Sequence, residues 1–282
     1  MFTIGVAFDG LHGSSAIRFA VAIAVLSLLQ AGLVALPAPR ELPALRRLRS
    51  GWWALVPAGS VLAFIFAQRA LSGTAEGLTY LSLIAVPLLA AVALGWLMRG
   101  ARPAFALVAA ALFALAWADR QGLAGESAGV LLDALSVVTL GVLLVAVTPA
   151  RIVKVAIVVI ALLDVWVVAS NLLSAPNSAL NGVAPVAHLP QLQRELLGTA
   201  VMGYEDLLIA GLLGALLATH LAAQRRAALL AALLALALNL LFFAVDTLPA
   251  TVPIALTLLV LEGVAWRARA RGAPGAATLR GP

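Results

Sequence analysis

Long apolar blocks broken by short polar interruptions run along the chain from about residue 16 to residue 266. A helix needs roughly 20 predominantly apolar residues to cross the hydrocarbon core of a bilayer. About nine segments meet that rule, at 16–36, 52–68, 78–98, 103–118, 130–148, 152–173, 198–220, 227–245 and 249–266. The pattern predicts an all-α integral membrane protein with about nine transmembrane helices. The first block is too long for a signal-peptide core and is retained as structure. The Ala/Leu run at 227–241 has the low complexity of a lipid-facing span, and no internal repeat is evident.

Composition supports the pattern. Of 282 residues, 63% are apolar and only 11% charged, with a mean hydropathy of +1.09. Spans and short loops leave no room for a sizeable water-soluble domain, so residues 1–266 read as one polytopic domain. Its spans one to five cover about 16–148 and its spans six to nine about 152–266. The remaining 267–282, rich in Gly, Ala, Pro and Arg, read as a disordered basic tail resting on anionic lipid. Cysteine is absent, which excludes disulfides, thiolate metal sites and a cysteine nucleophile.

The net charge of +6 could suggest nucleic acid, but the basic residues are scattered among loops. All but four of the 18 (Arg18, Arg69, Arg120 and Arg194) follow odd-numbered spans or lie in the tail. That asymmetry predicts a multi-pass protein of the cell membrane with its N-terminus outside and its C-terminus cytoplasmic. The bilayer is the expected partner and nucleic acid is not.

Against this background two acids stand out, Asp164 in the sixth expected span and Asp206 in the seventh. A carboxylate near the bilayer centre costs several kcal/mol unless it is protonated, paired or in contact with water. Asp164 lies nine residues before the outer end of its span and Asp206 eight after the outer end of the next. At 1.5 Å per residue both sit about 12 to 13 Å deep, so antiparallel neighbours would bring them level. Two carboxyls in close contact share one proton. The ionised member can then activate water while its protonated partner polarises a carbonyl. That chemistry needs no metal and no cofactor.

Asp164 together with Gly203-Tyr204-Glu205-Asp206 and Pro249-Ala250-Thr251 resembles the presenilin and signal peptide peptidase family of intramembrane aspartyl proteases. The resemblance covers the last half of the chain in motif and the whole chain in span count. It implies a nine-span fold, a catalytic pair at Asp164 and Asp206, and a substrate-binding side shaped by Pro249 and Ala250. It also implies membrane-protein or signal-peptide substrates. The expected orientation is similar to signal peptide peptidase. Three positions depart from the family pattern: Leu163 where it has tyrosine, Glu205 where it has its second glycine, and Thr251 where it has leucine. Glycine beside the catalytic acid allows close backbone approach, which Glu205 cannot reproduce.

Other readings of these acids are a proton or cation site in a transporter, or a polar contact between helices. An inactive relative that binds membrane helices is a third. Gly125-Glu126-Ser127-Ala128-Gly129 matches a nucleophile elbow, but that motif needs a strand-to-helix turn in a soluble sheet. His12, His188 and His220 are far apart and form no zinc motif. Asp133 and Glu262 fall near expected span ends, where exposure is the plain expectation, and Glu205 is expected to face an aqueous cavity. Asp246 would cap the ninth helix. Gly211 and Ala215 make a small-xxx-small packing step. Pro249 and Pro253 either start the ninth helix or free backbone groups for an extended substrate. The segment 174–197 is expected to be a long outer loop.

Overall fold

The computed structural model describes residues 4–5, 13–57, 59, 63, 73–120, 122–170, 182–183, 185–192, 194–243, 245 and 247–271. Among the described residues the fold is all-α apart from two short antiparallel strand pairings, the β2–β3 hairpin and the long-range β1–β4 pair. Its helices are α1 (Gly13–Ala35), α2 (Thr74–Val92), α3 (Ala106–Ala118), α4 (Leu123–Val147), α5 (Ala150–Ala169), α6 (Tyr204–Leu217), α7 (Leu221–Asn239) and α8 (Val252–Ala270). Its strands are β1 (Ile4–Gly5), β2 (Arg194–Leu197), β3 (Ala200–Gly203) and β4 (Thr247–Leu248).

Five stretches among the described residues are long and apolar enough to cross a membrane: Ile17–Ala35, Thr74–Leu97, Leu123–Val147, Ala150–Ala169 and Leu221–Phe242. They mark the chain as a membrane protein. The outward faces of these helices carry exposed large apolar side chains, among them Leu81, Ile84 and Leu88 on α2, Leu162 on α5, and Leu229 and Leu233 on α7. Hydrocarbon, unlike water, imposes no cost on such a surface. Most of the expected span at 52–68 lies outside the described residues. Its beginning is a 3-10 turn, Gly51–Ala54, capped by Ser50.

α6 is the axis of the bundle. At 14 residues it is too short to cross the hydrocarbon core alone, the length of a buried core helix. Every residue from Asp206 to Gly214 is buried. It packs on α4, α1, α5, α7 and α8, while α2 and α3 cover the other side of α4. Glycine makes the closest approaches possible. A Cβ on Gly211 would lie 2.7 Å from the Val137 carbonyl oxygen, and one on Gly214 would lie 2.6 Å from that of Val34. On the facing side, a Cβ on Gly141 would come within 2.6 Å of the Gly211 backbone. The helices therefore touch backbone to backbone.

Several expected boundaries are corrected. The seventh span, expected to begin at residue 198, begins as a helix only at Tyr204. Before it, β2 and β3 pair antiparallel from Arg194↔Gly203 to Leu197↔Ala200. Gly198 turns the hairpin with φ +59°, the placement a two-residue turn favours. Cross-strand bonds satisfy this backbone without a helix, and Ala200 and Met202 point alternately into the core. The last residues of the expected loop 174–197 are thus β2. The fifth span starts at Leu123, earlier than 130, so Asp133 sits within α4 and is fully buried, not exposed near an end. α8 starts at Val252, which leaves Pro249, Ala250 and Thr251 in the turn ahead of it. It continues to Ala270, past the expected start of the tail at 267.

Candidate functional site

Asp164 projects from α5 and is fully buried. Its Oδ2 accepts a hydrogen bond from the Thr251 hydroxyl at 2.6 Å and a longer one from the Thr251 N–H at 3.3 Å. The turn before α8 makes this possible. Were Thr251 inside the helix, its N–H would be committed to the helical ladder. Thr251 is therefore the residue that ties the Pro249-Ala250-Thr251 turn to Asp164. The other carboxylate oxygen, Asp164 Oδ1, has no hydrogen-bond partner.

Asp206 occupies the first turn of α6 and is also fully buried. Its Oδ2 accepts the Gly203 N–H at 3.0 Å, one of the donors that a helix N-terminus leaves unpaired. Capping accounts for that oxygen. It does not account for Oδ1, which lacks a partner. Asp206 lies within electrostatic reach of Asp164, across the packed α5–α6 contact.

A third residue joins the two halves. Gln30 of α1 is buried, and its Nε2 donates to the Asp206 carbonyl at 2.8 Å and to the Ala250 carbonyl at 2.9 Å. Both partners are acceptors only, which fixes the orientation of the amide. One side chain thereby holds the start of α6 against the turn that carries Thr251. Beside it lies a cavity of about 10 Å³ lined by Ser27, Gln30, Asn239 and Ala250, among others, room for about one water. Asn239 also donates to Ser27 at 3.0 Å, so a polar seam runs between α1 and α7.

Of the residues singled out from sequence, Asp164, Asp206, Gly203, Ala250 and Thr251 meet at this point. Pro249 is half-buried in the same turn, and Glu205 is half-buried on α6. Tyr204 turns elsewhere. Its hydroxyl is 2.6 Å from that of Ser136 on α4. The elbow-like Gly125–Gly129 run lies wholly within α4, with no strand before it. Glu262 pairs with Lys154 at 2.5 Å between α8 and α5. The capping role considered for Asp246, and His12, lie outside the described residues. Gly211 meets α4 as the packing step anticipated, whereas Ala215 is only half-buried.

Two residues of consequence escaped the sequence reading. Gln30 is a lone amide in the first apolar block, with Ser27 at helical spacing, and that spacing was the available signal. Glu195 offers none, because the sequence around it carries no pattern that distinguishes a buried hairpin from a polar loop. Searches of protein-family models, curated proteins and solved structures find no match to this chain.

Proposed function

We propose that the chain is an intramembrane aspartyl protease of presenilin/signal-peptide-peptidase-like, nine-span architecture, with Asp164 and Asp206 as its catalytic pair. The supporting observation is that two buried carboxyls on adjacent helices each keep one oxygen without a partner, while their other oxygens are held by Thr251 and Gly203. A water reaching the free oxygens would lose its proton to one carboxylate. The other carboxyl, protonated, would donate to the developing oxyanion and afterwards protonate the leaving amine. Substrates would be transmembrane segments or signal peptides, and the cytoplasmic C-terminus expected from the arginines suits those with an extracytoplasmic C-terminus.

The test is photo-crosslinking of purified protein with a hydroxyl-bearing peptide isostere of the tetrahedral intermediate. Labelling of wild type that is lost in both Asp164→Ala and Asp206→Ala, each still folded, is the expected outcome. Equal labelling of all three proteins, or of none, contradicts it.

A second reading, a proton-coupled transporter, draws on a separate observation: Asp133 and Glu195 are further buried acids in the same bundle. It is separated from the first by pH-driven flux in proteoliposomes, which a protease has no reason to support.

A further inference from the structure

Asp133 and Glu195 come together where α4 meets the hairpin. Asp133 projects from the middle of α4 and Glu195 from β2, and both are fully buried. None of their four carboxyl oxygens has a hydrogen-bond partner on another residue. The two acids lie within electrostatic reach of each other. Tyr204 lies within electrostatic reach of both. Because the Ser136 hydroxyl donates to the Asp133 carbonyl at 2.7 Å, Tyr204 must donate to Ser136, which leaves the phenol oxygen free to accept. Two buried, unpartnered carboxyls facing one another cannot both be ionised without a cation between them.

We propose that Asp133 and Glu195 form a second carboxyl pair, separate from Asp164 and Asp206, that holds a proton at neutral pH, with the Tyr204 hydroxyl oxygen as an acceptor beside it. Two observations favour a proton over a metal cation. The donor set is thin for a dehydrated metal ion, which takes six or more oxygens as Ca²⁺ or a near-octahedral shell as Mg²⁺. Among the described residues, no group of three or more His, Asp or Glu is arranged to hold a metal. Burial also pushes Glu195 up to about 8.

A route for exchange lies close by. A cavity of about 410 Å³ is lined by Gly125, Gly129, His188, Leu192 and Leu196, among others. Gly129 is one helical turn before Asp133 on the same face of α4, and Leu196 follows Glu195 directly. Hydronium in that cavity would give its proton to a carboxylate oxygen, one O–H bond breaking as another forms, and leave water behind. The described titratable groups that face the pair are Tyr204 and, toward Glu195, Asp206. Glu126 on α4 is instead bound to the Gly198 N–H, and the Tyr80 hydroxyl of α2 accepts from Val186. The inference does not depend on Asp164 and Asp206 being catalytic.

Infrared spectroscopy of the purified protein tests it without a substrate. Asp164→Asn and Asp206→Asn are combined first, so that the other pair contributes no acid band. In that background a protonated-carboxyl C=O band is expected at neutral pH, lost or reduced on adding Glu195→Gln or Asp133→Asn. Labelling glutamate with ¹³C should shift its Glu195 component in the full-length wild-type chain, which covers the case of a variant that does not fold. The band should be the same in choline, sodium and calcium chlorides. Absence of any protonated-carboxyl band that responds to these changes would overturn the proposal. So would a band present in choline but abolished by sodium or calcium, since the pair would then hold a metal ion.

Discussion

At the scale of single residues, the candidate site rests on two side-chain tethers, Thr251 and Gln30, each with its own consequence. Thr251 gives Asp164 its only described side-chain donor, at 2.6 Å. Thr251→Val keeps the shape and removes the hydroxyl, at a cost of about 1–3 kcal/mol in a buried setting. Isostere labelling should weaken in Thr251→Val and return in Thr251→Ser, which restores the donor. Gln30→Leu takes the donor from the buried Ala250 carbonyl, at about 1–3 kcal/mol, and the second of two donors from the Asp206 carbonyl, which the α6 ladder still serves. It should lower thermal stability and loosen the turn before α8, measured as faster hydrogen exchange at Ala255, whose N–H bonds the Thr251 carbonyl. Glu195 carries the pH dependence. Its pKa rises from 4.5 to about 8 on folding because burial disfavours the charged form. Between those values the folded state binds more protons than the unfolded one, so stability falls as pH rises. Chemical denaturation from pH 5 to pH 8 should show that decline, and Glu195→Gln should flatten it.

Elements explain how far the sequence could be read. The apolar blocks located the long helices, with ends off by up to seven residues, because hydrophobic length is set by the bilayer and is written directly in composition. The hairpin is hidden for a physical reason: residues 198–203 are apolar enough to extend a span, 194–197 join the polar loop before it, and only Gly198 marks the turn. That one error moved Asp206 from mid-helix to a first turn and concealed Glu195. The two aspartates were legible because acids are rare in apolar blocks. Their tethers were not, since Gln30 and Thr251 reach across more than 80 residues of chain. Backbone contact between α4 and α6 also gives a stability forecast. Gly211→Ala would drive a Cβ against the Val137 carbonyl, which cannot swing aside, and should destabilise by about 1–3 kcal/mol in thermal or denaturant melts. Gly263→Ala, inside α8 with nothing within 4 Å, should be neutral or stabilise by up to about 1 kcal/mol through helix propensity, and serves as the control.

In the whole molecule, a short buried helix is enclosed by longer membrane-crossing ones, and its N-terminal end is where polar groups collect. α5 brings Asp164 to that end, α1 brings Gln30, the turn before α8 brings Thr251, and α4 with β2 brings the second acid pair. A bundle built only for stability would fill this position with apolar side chains, since burying acids without partners disfavours folding. Concentrated cost of this kind is where function is to be sought. The functional account stands on Asp164 and Asp206 acting as one pair across α5 and α6. Because the chain has no cysteine, this can be tested directly. Asp164→Cys and Asp206→Cys are introduced together, with a protease site inserted between residues 171 and 181, and treated with a short bifunctional thiol reagent. The two fragments should stay joined after cleavage, whereas Leu162→Cys, on the outward face of α5, should not be joined to Asp206→Cys. Fragments that separate as freely as in the Leu162 control would contradict the pairing, and the proposed chemistry with it.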